Sequence, residues 1–216
     1  MFNLCIVKEI IEQADKKEQI LTVAEDLFSQ QDFDAVSVRD LAKAANVNIA
    51  MISYYFGSKE KLFETLILGR IDASQGSLKD IVGSNKPVLE KMYDIIDFYV
   101  DKFSTNVDFQ KMINRELSID TRPRLRDLII TKIKENKELT KKMLEEEAKK
   151  GTISDKADIL MTMMSFFATM HKIAGAPYYS CQILEKNNTE ELNTPEFRDR
   201  IRTYFKSIIK NQLLIK

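Results

Sequence analysis

From Lys16 onward the apolar positions Ile20, Val23, Ala24, Leu27 and Phe28 recur at steps of three and four, which makes one buried helical face. Gln30, Gln31 and Asp32 end that helix, and Phe33 returns as a packing residue. A short helix is predicted next, with Ser37 as N-cap and Asp40 three residues on, close to a capping box. Leu41, Ala42 and Ala45 face inward. Asn46 interrupts, and a second short helix runs from about Asn48 to Phe56, closed by Gly57. Ser58 caps a helix carrying Leu62, Phe63, Leu66 and Ile67, after which the pattern loosens between Gly69 and Pro87.

Beyond Pro87, Leu89, Met92, Ile95, Ile96, Tyr99 and Phe103 predict a long helix, and residues 109–117 a short one. Pro123 suits the first turn of a helix that Gly151 stops. A strongly apolar helix spans residues 155–174, residues 178–194 read as a polar connector, and Pro195 opens the last helix. No stretch alternates with the period of a strand. The expectation is an all-α chain of about nine helices, divided into domains at 1–62 and 63–216.

Composition agrees. Six Gly, four Pro and no Trp in 216 residues leave little material for the turns of a sandwich or barrel. Lys and Arg number 33 against 33 Asp and Glu, so no global basic surplus announces nucleic acid or an anionic membrane. Cys5 and Cys181 are too few for a disulfide scaffold or a four-cysteine zinc site, and suit a reducing cytosol. The apolar start of the chain has no preceding Lys or Arg and no cleavage pattern, so it is not read as a secretory signal. The apolar run 159–176 contains His171 and Lys172 and reads as a buried helix, so no membrane partner is expected. Phe2, Leu4, Ile6, Val7, Ile10 and Ile11 suit either an extra packed helix or a disordered arm.

The informative stretch is residues 36–63, VSVRDLAKAANVNIAMISYYFGSKEKLF. Two short helices about one tight turn form a helix-turn-helix over residues 36–55. Ala42 is small because the second helix crosses it, and Asn46 tolerates the left-handed turn. Val47 and Ile52 plug the second helix onto the first. Asn48, Ile49, Ala50, Ser53 and Tyr54 are left facing outward, near the end that enters a major groove.

With Leu27-Phe28 before it and Phe56-Gly57-Ser58-Lys59-Glu60-Lys61-Leu62 after it, this stretch resembles the N-terminal domain of TetR-family transcriptional regulators. The matching residues span about 16–70. The resemblance implies a cytoplasmic homodimer whose two recognition helices read successive major grooves of a partly palindromic double-stranded DNA operator. Carried over by position, Asn48, Ile49, Ala50, Met51 and Ser53 face bases: Asn48 can pair with adenine, and Ile49 and Ala50 can touch thymine methyls. Ser37 and Arg39 then lie near backbone or groove edge, and Tyr54, Tyr55 and Lys59 hold phosphates. The family often has Tyr where this chain has Ser53, so that a usual phosphate or groove contact is either missing or moved to Tyr54. Residues 1–60 carry six basic and ten acidic side chains, a net charge of −4. Few phosphate neutralisations per subunit follow.

The resemblance also implies a C-terminal effector-binding and dimerisation domain, in which the apolar helix with Met161, Met163, Met164 and Met170 joins the last helix in a four-helix interface. An apolar or amphipathic effector is expected against Phe98, Tyr99, Phe103, Arg115, Phe167 and His171. Effector binding would then shift the recognition helices through the helix that begins at Ser58, and the chain would act as a repressor. A second reading on the same scaffold is an architectural or cell-cycle DNA-binding protein without an effector. An enzyme is not expected: no carboxylate pair or nucleophile motif stands out, and Cys181 with His171 lacks an orienting group. One histidine and two distant cysteines make no metal site, and no cofactor is called for.

Overall fold

A computed structural model of the chain describes the backbone of residues 2–154 and 156–213, with side chains from residue 15 onward. Ten α-helices are present among the described residues and no strand: α1 (Phe2–Gln30), α2 (Val38–Ala44), α3 (Ile49–Phe56), α4 (Lys59–Gly83), α5 (Val88–Thr105), α6 (Val107–Ser118), α7 (Pro123–Lys149), α8 (Ile159–Gly175), α9 (Pro177–Ile183) and α10 (Pro195–Leu213). Single 3₁₀ turns lie at Phe33–Ala35 and Thr189–Asn193. The all-helical expectation holds. The packing of Phe2, Leu4, Ile6, Val7, Ile10 and Ile11, and the helix start expected at Asp155, fall outside the described residues; α8 itself begins at Ile159, capped by the Asp158 carboxylate on the Met161 amide.

Two compact units divide the chain, residues 1–70 and 71–216, eight residues later than the boundary placed at 62. The first is built on a cluster of rings. Phe28 of α1, Phe33 of the first 3₁₀ turn and Phe63 of α4 meet at centroid distances of 4.7–5.6 Å. Phe28 and Phe63 are wholly buried, as are Ile20, Ala24, Leu41, Ala45 and Leu62 of the same unit. Arg70 of α4 is paired with Glu25 of α1 at 2.6 Å.

The second unit has its own core, from Leu78 of α4 through Val100 and Phe103 of α5 and Phe166 of α8 to Phe205 and Ile209 of α10. A row of charges ties α10 to α5. Lys206 meets Asp97 at 2.6 Å, and Arg202 pairs with both Asp97 and Asp101. Near the α6–α7 turn Glu116, almost fully buried, accepts two hydrogen bonds from Arg122 at 2.7 and 2.8 Å. The carboxylate of this ion pair is buried and the guanidinium half-buried.

Two segments differ from expectation. The loosened stretch after Gly69 is helix: α4 runs unbroken to Gly83, because buried Leu78 and half-buried Ile81 and Val82 keep a face on the second core while Gly69 and Gly76 sit exposed. A mid-helix glycine costs about 1 kcal/mol and does not by itself end a helix. The expected polar connector contains α9 and the second 3₁₀ turn. Pro177 starts α9, Cys181 and Leu192 are buried, and the Cys181 thiol lies 3.2 Å from the Asn188 carbonyl.

His171 of α8 packs against Phe103 at 4.9 Å, and its Nδ1 is buried with no hydrogen-bond partner. Burial holds its pKa below the ordinary 6.5. Between 6.5 and that lower value the unfolded chain binds the proton more readily, so the stability His171 contributes is complete above pH 6.5 and lost as pH falls. Replacing His171 by Phe is expected to flatten the decline of unfolding free energy below pH 6.5, by at most one proton or about 1.4 kcal/mol per pH unit. Urea titrations of both proteins at a series of pH values check it.

Candidate nucleic-acid interface

The helix-turn-helix is fixed by local hydrogen bonds that its sequence encodes. Ser37 Oγ accepts from the Asp40 amide at 3.2 Å, and the Asp40 carboxylate accepts from the Ser37 amide at 2.9 Å and the hydroxyl at 2.6 Å. These bonds hold the Asp40 carboxyl below its usual pKa. At the turn Asn46 takes φ of 50°, the left-handed region, and the Val47 amide returns to the Ala42 carbonyl at 2.9 Å. Asn48 caps α3, its Oδ1 accepting from the Ala50 amide at 2.9 Å. Gly57 ends α3 at φ of 79°, which only glycine adopts without strain, and Ser58 caps α4 through the Lys61 amide.

Because these caps set its ends, α3 needs few buried side chains. Ile52 and Phe56 are buried; Ile49, Ala50, Ser53 and Tyr54 are exposed, Tyr54 at 73%; Met51 and Tyr55 are half-buried. Arg39 is exposed on α2. The structure therefore gathers Arg39, Asn48, Ile49, Ala50, Met51, Ser53, Tyr54 and Tyr55 on α2, α3 and the turn between them. A helix with its apolar strip against α2 and its other face in water has the form that enters a DNA major groove.

Three residues expected to touch DNA are engaged elsewhere. The ammonium of Lys59 turns inward, donating at 2.9 Å to the carbonyls of both Phe33 and Val36 and lying 4.1 Å from the Phe33 ring centre. In this position Lys59 braces the ring cluster, since a charged donor gains more from two partly buried carbonyls than from water. Ser37 spends its hydroxyl on Asp40. Asn48 spends its oxygen on the cap, so reading adenine with both amide atoms means giving that cap up.

Three residues that sequence reasoning passed over stand beside α3. Lys16 and Gln19 of α1 and Lys43 of α2 join Asn46, Asn48 and Met51 in lining an open groove of about 570 Å³ that no acidic side chain lines. Gln19 also pins the turn by donating to the Ala45 carbonyl at 3.0 Å. The available signal was Lys43 one turn after Arg39 on α2, a basic i, i+4 pair.

The residues expected to meet an effector lie in the second unit. Phe98, Tyr99, Phe103, Phe167 and His171 form one chain of rings, each 4.8–6.4 Å from the next. Burial lifts the Tyr99 phenol to about 12. They fill one another's space: the void beside Phe167 is about 20 Å³ and that beside Phe103 about 60 Å³. Arg115 is half-buried on α6. No group of three or more His, Cys, Asp or Glu arranged to hold a metal occurs among the described residues. Among the described residues no single helix is long and apolar enough to cross a membrane.

This arrangement defines a helix-turn-helix DNA-binding protein with a second, helical unit. Residues 20–66 match the model of bacterial regulatory proteins of the tetR family. The chain is 24% identical to the "Probable HTH-type transcriptional regulator YttP" of Bacillus subtilis (strain 168) over 89% of each chain. It is 33% identical to the HTH-type transcriptional repressor NicS of Pseudomonas putida over 41% of this chain and 44% of NicS. Its fold matches the TetR family transcriptional regulator PfmR of Thermus thermophilus with a TM-score of 0.67 at 19% identity, covering 88% of this chain and 97% of PfmR. Residues 20–66 thus match the tetR-family DNA-binding region, and the chain is a DNA-binding transcriptional regulator.

Lys59 and Lys43 separate bracing from phosphate contact. Lys59→Met is expected to cost about 2 kcal/mol of stability and to leave the salt dependence of DNA binding unchanged. Lys43→Met is expected to keep stability and lower the slope of log K against log salt by about 0.9 per subunit. Thermal melts and anisotropy titrations at several salt concentrations read both.

Proposed function

We propose that the protein is a homodimeric, cytoplasmic, ligand-responsive repressor that binds a partly palindromic operator through paired α3 helices. The observation that carries the DNA half is the exposed side of α3 beside a groove lined by Lys16 and Lys43 and no acid. Ile49, Ala50, Met51, Ser53 and Tyr54 are the readers in this account, with Tyr55 and Arg39 on the backbone. Repression is supported by NicS, which is named a repressor. Relatives named as regulators support a role without catalysis.

The dimer rests on α8 and α10. Met161 and Met164 of α8 and Tyr204 of α10 stand 60–66% exposed, an exposed apolar face of the kind that marks an interaction site. Met161, Ser165, Tyr204 and Ile208 line one furrow between the two helices. A second copy supplying the same two helices makes a self-complementary interface. The spacing of the two α3 helices then responds to whatever the second unit binds, because α4 contributes to both units. An effector releases DNA only if it prefers the state that cannot bind.

The test is retention of fragmented genomic DNA by the purified protein, followed by sequencing. The wild type is expected to hold a few palindromic fragments at raised salt. Tyr54→Ala, a change at an exposed residue, is expected to lose them with its melting temperature unchanged. Met164→Glu is expected to give a monomer by light scattering with at least a hundredfold weaker operator binding, about 3 kcal/mol. Retention by Tyr54→Ala equal to wild type, or a Met164→Glu dimer, contradicts the reading.

A further inference from the structure

Helices α8, α9 and α10 leave between them an open cavity of about 390 Å³, within the range of small-molecule sites, about 300–1,000 Å³. Phe197 and Ile201 of α10, both buried, and half-buried Ile173 of α8 supply its apolar surface. Tyr179 and Ile183 of α9 also line it, exposed at 54% and 63%. Apolar side chains left in water around a concavity are stabilised by an apolar occupant, at about 25 cal/mol per Å² covered.

The polar part of the lining is cationic. Lys172 of α8 places its ammonium 4.3 Å from the Tyr179 ring centre, and Arg200 of α10 lines the same space. Neither forms an ion pair among the described residues, and no Asp or Glu lines the cavity. Their neighbours on α10 differ: Arg202 and Lys206 are both taken up by Asp97 and Asp101 of α5. Two uncommitted cations beside an apolar hollow are complementary to an anion that carries an apolar body.

We infer that this cavity binds a small amphipathic anion. An aromatic or aliphatic body lies on Ile173, Phe197 and Ile201, and a carboxylate or sulfonate head is held by Lys172 and Arg200. Tyr179, flanking Lys172, stacks on a planar body. The site shares no residue with the ring cluster of Phe98, Tyr99, Phe103, Phe167 and His171; it shares Tyr204 with the proposed dimer face, and it does not depend on the DNA-binding reading.

Calorimetric titration of the full chain with 2-naphthoate, and with neutral 2-naphthylmethanol, tests the assignment. The anion is expected to bind about tenfold tighter than the alcohol. The double variant Lys172→Gln/Arg200→Gln is expected to erase that difference while alcohol binding stays within about twofold. Ile183→Asp, at an exposed position, is expected to weaken both ligands with an unchanged circular dichroism spectrum. Equal affinity for anion and alcohol, a preference that survives in the double variant, or no binding up to millimolar ligand overturns the inference. The last outcome is the one produced if a second copy of the chain fills the cavity.

Discussion

The N-terminal unit depends on three phenylalanines and one ammonium. Phe28, Phe33 and Phe63 come from α1, the first 3₁₀ turn and α4, and their mutual contact holds three segments that no backbone ladder joins. Lys59 closes the arrangement from above the Phe33 ring, satisfying the carbonyls of Phe33 and Val36 where the chain leaves its 3₁₀ turn. With that frame fixed, α3 needs only Ile52 and Phe56 as anchors. The rest of its surface is available for DNA.

Electrostatics follow from distribution, not sum. A unit with a net charge of −4 over residues 1–60 looks poorly suited to a polyanion. Yet Glu25 is paired with Arg70, Asp40 is bound into the capping box, and the groove beside α3 is lined by Lys16 and Lys43 with no acid. At physiological salt charges separated by more than about 8 Å are largely screened, so the local lining governs what a phosphate meets.

What the sequence disclosed was chiefly local. Ser37 with Asp40, Asn46 in the left-handed region, Gly57 after α3 and Pro123 opening α7 each act within a few residues, and each was legible from spacing alone. Lys59 was not, because the partner of a long flexible side chain is set by tertiary packing; resemblance pointed it at phosphate and the fold turns it to carbonyls. The continuation of α4 past Gly69 and the existence of α9 depend on Leu78 and Cys181 finding a core that local periodicity does not show. The aromatic stripe of α5 was legible as apolar but not as filled space, since its complement comes from Phe167 and His171 on α8. The cavity between α8, α9 and α10 was invisible for the same reason: Lys172, Ile183 and Arg200 are brought together only by the fold.

Hydrogen exchange of the full chain with and without its retained DNA, read by mass spectrometry, tests the central claim most directly. The account predicts that DNA slows exchange across residues 37–56, most strongly in α3, where the helix ends otherwise fray. Unchanged exchange in that segment, with protection appearing only beyond residue 70, would contradict it.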